Sequence, residues 1–380
     1  MYTESDGIRV SDEYMNIVSE STVKAGDGNI SVTGGDFAYI NASDIQAESG
    51  EVVIQSSEVG IYKLSESPHS TSIAAKGNIS INGTEGNVEI TDDTSLISNQ
   101  GDVEVLATGG SASMDGGNVT ATLGKVSVSG STSTNLNGVD VDGKTVEIGA
   151  TNSETTISGG MVDGADGVKV NGSTVQVNNN ASIDAEGGDV AINGTDTGIT
   201  GGNVTSTTGD VDIIGSTTNT LSGVSVGGKD VSVTGGAVSV TNGTVAGTAA
   251  VTIAGTASTN LNGVVVDGSS IAVGSETSTT TITNTVDKST TLDATGKIAV
   301  TGPTVSLTDI SVDTTGTDAN GVSVAITGSD VEVSGKNVTG TGSVTIAGTT
   351  STKVNGVDVD GKAVEIGATN SETTISGGMV

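Results

Sequence analysis

Residues 124–149 read GKVSVSGSTSTNLNGVDVDGKTVEIG, and this stretch decides the fold. Val or Ile stands at every second position of the segments VSV, VDV and VEI, as a strand with one buried face requires. Gly, Asn and Asp separate the segments, and these residues favour tight turns because positive φ costs them little. Seven apolar side chains are therefore predicted to point inward, with Ser, Thr, Asp and Glu between them facing solvent: Val126, Val128, Leu136, Val139, Val141, Val146 and Ile148.

The composition of the whole chain fits β-strands joined by turns. Among 380 residues there are 58 Gly and only 2 Pro, with no Cys and no Trp. Aromatic residues make up 1% of the chain and all lie within its first 62 positions, so the remainder must be packed with aliphatic side chains. Acidic chains rich in Gly and Ser are often disordered, but the regular alternation of apolar and polar residues argues against disorder here.

Internal repetition is the strongest signal for a solenoid. Residues 137–162 return as residues 355–380 with a single change, Thr145 to Ala363. Segments that begin Gly-Asp/Asn/Lys-Val recur at Gly188 and Gly209 and again at Gly101 and Gly124, a spacing typical of one solenoid coil. We predict an all-β, elongated parallel β-helix or β-solenoid with coils of about 20 residues, each made of two or three strands of about four to six residues.

The two ends of the chain differ from its middle. Residues 1–75 are predicted to form an N-terminal cap or atypical first coils, with Phe37 and Tyr39 covering the end of the core; a separate binding head is the alternative. Residues 76–380 are predicted to be repetitive solenoid that continues beyond the chain end, because the sequence stops within a repeat. Val364 and Ile366 would then stack on further repeats or on the N-terminal face of another copy.

The net charge bears on partners and location. It is −32, from 45 acidic and 13 basic residues, so a phosphate backbone or an anionic lipid surface would repel most of the molecule. No nucleic acid partner is predicted, and no membrane insertion, because no apolar run is long enough to span a bilayer as a helix. The first ten residues, MYTESDGIRV, show no secretory signal peptide, and without Cys there is no disulfide framework to indicate a compartment.

The candidate catalytic residues lack the arrangement expected of an enzyme. His69 is the only His, and SESPHSTS around it carries no pattern of a nucleophile and base, so a loop histidine is expected. Asp140 and Asp142 share a strand face, as paired catalytic carboxylates do in polysaccharide-cleaving enzymes. They reappear as Asp358 and Asp360, and repetition is typical of a structural feature, so no catalytic residues are predicted.

Calcium is the ion that the sequence favours most as a ligand. The string VDVDGK is similar to the start of an Asp-x-Asp-Gly calcium loop, which makes Asp140, Asp142, Asp358 and Asp360 candidate Ca²⁺ ligands. Lys144 stands where a third oxygen ligand should fall and Thr151 where a bidentate Glu should be. The preferred interpretation is that these exposed carboxylates keep the protein soluble and deter lateral aggregation. No other cofactor is predicted.

Strings such as GNISING at Gly77, GDVEV at Gly101, GGDVAING at Gly187 and GDVDIIG at Gly209 resemble the repeats of filamentous-haemagglutinin-type secreted adhesins. The resemblance implies a right-handed parallel β-helix and an extracellular or cell-surface location. We expect a structural, non-enzymatic stalk or filament subunit in bacterial surface adhesion or assembly, with itself and a cell-surface receptor or glycan as partners. The alternatives are a phage tail-fibre or appendage fibre subunit and, less favoured, a polysaccharide-active β-helix enzyme.

Overall fold

The computed structural model describes residues 2–3, 7–18, 21–63, 70–91 and 93–380. Within these residues all regular secondary structure is β, and the strands pair in parallel. They stack as a β-solenoid of about 16 turns with a spacing of roughly 22 residues. The predicted all-β solenoid is therefore confirmed. The chain divides into two compact units, Met1–Gly194 and Thr195–Val380, and the predicted boundary after residue 75 falls inside the first.

The first unit is built from short strands and a few that run round a corner. In chain order they are Tyr2–Thr3, Ile8–Ile17, Thr22–Ala25, Ile30–Asn41, Asp44–Ala47, Val52–Ser56, Glu58–Tyr62, Ser72–Ala75, Ile79–Gly83, Val88–Thr91, Ser95–Ser98, Val103–Ala107, Ala112–Asp115, Asn118–Gly130, Ser133–Asn137, Asp140–Ile148, Glu154–Ser158, Met161–Gly164, Gly167–Asn171, Thr174–Asn178, Ser182–Ala185 and Asp189–Thr200, the last of which contains the division.

The second unit repeats the same pattern. Its strands are Asn203–Ser206, Val211–Ser222, Ser225–Gly228, Val231–Thr241, Thr244–Gly247, Ala250–Asn262, Val265–Gly268, Ser270–Gly274, Thr279–Thr283, Thr291–Ala294, Ile298–Thr308, Ser311–Thr314, Val322–Ser334, Asn337–Gly340, Ser343–Asn355, Asp358–Asp360, Ala363–Ile366 and Glu372–Ser376. The predicted strand length is wrong for several of these, since Ala250–Asn262 has 13 residues.

Each turn contributes one strand segment to each of three parallel sheets, which we call faces A, B and C. In the turn that begins at residue 126, Val126 lies on face A, Leu136 on face B and Val141 on face C. On face A, Val126 pairs with Val103 of the preceding turn and Val146 of the following one. Equivalent Val and Ile side chains therefore form ladders along the interior, with neighbouring strands about 4.8 Å apart.

The predicted register is confirmed by burial. All seven side chains that were predicted to point inward are at most 1% exposed: Val126, Val128, Leu136, Val139, Val141, Val146 and Ile148. Val139 and its repeat equivalent Val357 are 1% and 2% exposed, whereas the neighbouring Asp140 and Asp358 face solvent. Because a slip of one residue would reverse every side chain, this agreement fixes the alternation along the strands.

A Gly and a Thr four residues later close the corner between faces A and B. The Gly130 N–H donates to Thr134 Oγ1 at 3.0 Å, and the Gly255 N–H donates to Thr259 Oγ1 at 2.8 Å. Both Thr side chains are fully buried, so each hydroxyl satisfies a backbone group that the bend removes from the sheet. The corner thus explains why Thr stands among Val and Ile at inward positions of face B.

The Gly-Asn/Asp-Val segments join successive turns at the start of face A. Asn78 Oδ1 accepts a hydrogen bond from the Asp102 N–H at 2.9 Å, and Asp102 Oδ1 accepts one from the Lys125 N–H at 2.7 Å. The same link recurs in the second unit, where Asp230 Oδ1 accepts from the Ala250 N–H at 2.8 Å. Each of these side chains therefore stabilises the backbone of the following turn at the corner that precedes face A.

The first turns follow the same plan as the later ones. On face A, Ile8 pairs with Ile30, Ile30 with Val52, and Val52 with Ile79, and all four are buried. The region predicted to be a cap or atypical coils is therefore continuous in register with the repeats. Its aromatic side chains are placed differently from the prediction: Phe37 and Tyr39 lie on the outer surface of face B, and neither covers the end of the core.

Candidate functional site

The predicted calcium ligands lie on the outer surface of face C. Asp140 and Asp142 project from one strand and Asp358 and Asp360 from another, and all four side chains are exposed. Asp140 already has a structural partner, since its Oδ1 accepts a hydrogen bond from the Met161 N–H at 3.1 Å. This contact links one turn to the next, as the Asp side chains of face A do.

The geometry lends no support to a calcium site at these residues. Among the described residues, no group of three or more His, Cys, Asp or Glu side chains is arranged to hold a metal ion. Lys144, which stands at the place of a third ligand in the sequence, lies with its Nζ 3.5 Å from Asp166 Oδ2. Lys144 thus adds a positive charge to the strand that carries Asp140 and Asp142, which opposes cation binding there. Calcium binding therefore stays a prediction.

Carboxylates do stack in register on face C. Asp142 pairs with Asp163, and Asp163 pairs with Asp184, so three side chains follow one another in successive turns. Burial raises the pKa of Asp163, and the charges of Asp142, Glu186 and Asp184 raise this pKa further. A second stack has the same geometry in the other unit and consists of Asp267, Asp293 and Asp313. Burial raises the pKa of Asp293, and the charges of Asp267 and Asp313 raise this pKa further. We call these stacks the acidic ladders.

The raised pKa of Asp163 predicts a gain in stability for Asp163→Asn at neutral pH. A raised folded pKa means that the folded state binds the proton more tightly, so stability falls as pH rises from the ordinary Asp value through the raised one. Removing the charge should raise the free energy of unfolding at pH 7 by less than about 1 kcal/mol, since solvent screens this side chain. It should also flatten the pH dependence in that window. Urea unfolding at a series of pH values measures both.

The matched control for Asp163→Asn is Asp212→Asn. Asp212 is exposed on face A, where its neighbour in register is Ser232 rather than another acid. This change removes one charge without relieving a stacked pair, so stability at pH 7 should hardly change. Equal gains in both variants would show that the total charge, and not the ladder, sets the cost.

Four of the five aromatic residues form one row on the outer surface of face B. The ring centroids of Tyr14 and Phe37 are 6.1 Å apart, those of Phe37 and Tyr39 are 5.7 Å apart, and those of Tyr39 and Tyr62 are 6.0 Å apart. The planes within each pair differ by 13° to 29°. We call these residues the aromatic row. It extends over three successive turns of the first unit.

Carboxylates flank the aromatic row and fix its phenol groups. The Tyr62 hydroxyl donates a hydrogen bond to Glu89 Oε2 at 2.9 Å. Burial raises the pKa of Tyr62 above its ordinary value, and this hydrogen bond raises the pKa further. A hydrogen bond with Asp36 raises the pKa of Tyr14. Both phenols therefore stay protonated near neutral pH. Gly60 makes room for the Tyr62 ring, since a Cβ at that position would lie 2.3 Å from Tyr62 Cε2.

Neither the aromatic row nor the acidic ladders was predicted from the sequence. The signal in both was spacing close to the length of one turn. Tyr14 and Phe37 are separated by about one turn of chain, as are Tyr39 and Tyr62, and Asp142, Asp163 and Asp184 follow one another at equal intervals of similar length. Residues at this spacing stack when turns are parallel and in register. Comparing outward positions at the repeat length would have found both features.

The predicted assembly end is less buried than the turn before it. Val344 and Ile346 are 0% exposed, whereas Val364 and Ile366, which pair with them on face A, are only half-buried. Ile375 on face B is 50% exposed. A stacked turn of the same geometry would remove these apolar side chains from water.

Two further sequence predictions have a limited structural counterpart. His69, interpreted as a loop histidine, lies outside the described residues. Across the part of the chain that the structure describes, no helix has the length and apolar character needed to cross a bilayer.

Together, the repeated turn and its polar outer surface define a β-solenoid repeat protein. Comparison with known proteins adds no name to this class: no protein-family model, curated protein or solved structure matches the chain. The resemblance to haemagglutinin-type repeats therefore remains a prediction from short sequence strings, and so does the right-handed coil that it implies.

Proposed function

We propose that this protein is a structural, non-enzymatic stalk or filament segment that acts outside the cell in bacterial surface adhesion or assembly. The observation that carries the proposal is the uniformity of the turns. In both units each turn presents Val, Ile or Leu pairs inward and polar side chains outward, and each pairs with the next in parallel register. Such a fold extends by adding turns, each of which contacts only its neighbours.

The distribution of acidic side chains supports a structural role. Asp140 and Asp142 recur at Asp358 and Asp360 on the same face, whereas an active site is ordinarily built once. Outward carboxylates with a net charge of −32 would keep neighbouring copies apart along their sides while leaving the ends free to stack. Extracellular location is part of the proposal through the haemagglutinin-like strings, and a receptor or glycan on a cell surface is the proposed target.

Mass and shape in solution test this role. Light scattering should give either the monomer mass of 36.9 kDa or a series of end-to-end multiples, and small-angle X-ray scattering should give an elongated particle. A closed trimer would favour a phage or appendage fibre subunit instead. A compact particle that hydrolyses polysaccharide would contradict the structural role.

The assembly end predicts the effect of Ile366→Lys. If turns stack on this end, a charge beside the half-buried Val364 should abolish elongation while the upstream turns stay folded, because solenoid stability is mainly a nearest-neighbour property. Electron microscopy of negatively stained samples measures filament length, and circular dichroism reports the fold.

Ala363→Lys is the control for Ile366→Lys, because it places the same charge on the exposed outer side of the same strand. We expect filaments of wild-type length from this variant. Filaments of unchanged length from Ile366→Lys would refute end stacking. A uniformly monomeric wild type would leave a stalk that does not assemble through this end.

A further inference from the structure

We propose that the aromatic row binds an Arg- or Lys-containing segment of a partner protein. The proposal does not depend on whether the protein is a stalk or a filament. It rests on three features of the first turns: the exposure of the rings, the carboxylates beside them and the absence, among the described residues, of an ion pair to these carboxylates.

The aromatic row offers ring surface to solvent. Tyr14 is 58% exposed, and Phe37, Tyr39 and Tyr62 are half-buried. The same faces of the solenoid elsewhere carry Ser, Thr, Asn and Asp, so these rings form the one aromatic surface among the side chains that the structure describes. An aromatic ring presents a negative face to its surroundings, and Arg or Lys placed over it is attracted by that charge distribution.

Carboxylates place negative charge beside the rings of the aromatic row, where a bound cation would lie. Asp36 is exposed at the corner just before Phe37, and Glu58 and Glu89 are exposed on face B in the two turns that follow. Glu58 pairs in register with Phe37, and Glu89 accepts the hydrogen bond from Tyr62. A guanidinium group fits this arrangement well, since it stacks on aromatic rings and donates to carboxylates at the same time.

The described Lys and Arg side chains form no ion pair with this surface. Within the described residues, no Lys or Arg side chain forms an ion pair with Asp36, Glu58 or Glu89. Lys63, the residue after Tyr62, instead lies with its Nζ 3.8 Å from Asp93 Oδ2. Asp36 and Glu89 accept phenol hydrogen bonds, but no described Lys or Arg neutralises their charge. The net charge of −32 would attract a basic partner to them.

Neutral sugars are the competing ligand, because they also stack on aromatic rings. They would gain nothing from the charge at Asp36, Glu58 and Glu89, and nothing from the long-range field of an acidic chain. The charge complementarity of the row therefore favours a basic peptide, and a glycan is an outcome that the experiment must distinguish.

The test is binding of fluorescent octa-arginine, octa-lysine and octa-serine peptides to the full chain at near-physiological salt, measured by fluorescence polarisation. We expect octa-arginine to bind more tightly than octa-lysine, because Arg stacks on rings, and octa-serine not to bind. Tyr14→Ala should weaken octa-arginine binding about 3-fold to 10-fold. Tyr14 is the most exposed ring of the row, so its removal should leave the fold intact by circular dichroism.

Two matched charge variants separate local recognition from net charge. Asp36→Asn and Asp212→Asn each remove one exposed carboxylate, but only Asp36 lies beside the rings. Asp36→Asn should weaken octa-arginine binding and Asp212→Asn should leave it unchanged. Equal weakening by both, together with no effect of Tyr14→Ala, would overturn the proposal in favour of non-specific attraction. Binding of neutral oligosaccharides that Tyr14→Ala abolishes, with no peptide binding, would overturn it in favour of a glycan site.

Discussion

Val233→Asp should destabilise its turn by about 3–5 kcal/mol, because it places an unpaired carboxylate in the apolar interior. Val233 is 0% exposed and pairs on face A with Ile213 of the preceding turn and Ile253 of the following one. Among the described residues no Lys or Arg side chain is buried in the interior to compensate the charge. The damage should be local, since turns of a solenoid stabilise mainly their neighbours. Native-state hydrogen exchange, read turn by turn, measures both the size and the extent of the loss.

Thr234→Asp is the matched control for Val233→Asp. Thr234 is the next residue on the same strand, projects outward and pairs with Ile214 and Ala254, so the new carboxylate would meet solvent and no neighbouring acid. We expect a change within about 0.5 kcal/mol. If the two variants lost similar amounts, or if Thr234→Asp lost more, the inward and outward positions of this strand would be reversed.

The inward register was predictable because it depends on a local property of the sequence. A strand with one buried face must alternate, and the segment from Val126 to Ile148 alternates without interruption between its turn residues. Repetition then gave the approximate turn length, since stacked strands need equal lengths of chain. No property of a distant residue enters either inference, and both agree with the structure.

The length of individual turns was less predictable because loops enter at the corners. On face A, the turn from Val273 to Val300 is longer than the turn before it, from Ile253 to Val273. The added chain forms the segment between Thr279–Thr283 and Thr291–Ala294, where Lys288 Nζ donates to Gly243 O at 2.8 Å, two turns earlier. Insertions of this kind do not disturb the ladders, so alternation alone gives no sign of them.

The predicted position of Phe37 and Tyr39 over the end of the core is wrong because large side chains are not needed to fill this interior. The interior between the three faces is filled by the smaller Val, Ile, Leu and Ala side chains, which pack closely there. Phe37 and Tyr39 alternate with the buried Ala38 and Ile40, so the period-2 rule already directed both rings outward. The alternation along the strand therefore predicts the direction of these side chains better than their size does.

Gly255→Ala should cost about 3 kcal/mol, a large loss for a single methyl group. Gly255 forms the corner between faces A and B, where a Cβ would lie 1.9 Å from the carbonyl oxygen of Ser258. Backbone atoms on both sides would have to move, and the hydrogen bond from the Gly255 N–H to the buried Thr259 Oγ1 would be lost with them. Hydrogen exchange of the Gly255 turn and its two neighbours measures the loss.

Gly223→Asn tests whether a corner glycine is needed because a Cβ would clash or only because its φ is positive. Gly223 has φ of 64° between faces B and C, but a Cβ there would meet nothing within 4 Å. In the next turn the same corner is formed by Asn242 at φ of 54°, and both residues donate their N–H to a carbonyl oxygen in the following turn. Asn tolerates this conformation, so we expect a loss of only a few tenths of a kcal/mol. A loss as large as that of Gly255→Ala would mean that the B-to-C corner is also crowded, and that backbone conformation alone does not explain its glycines.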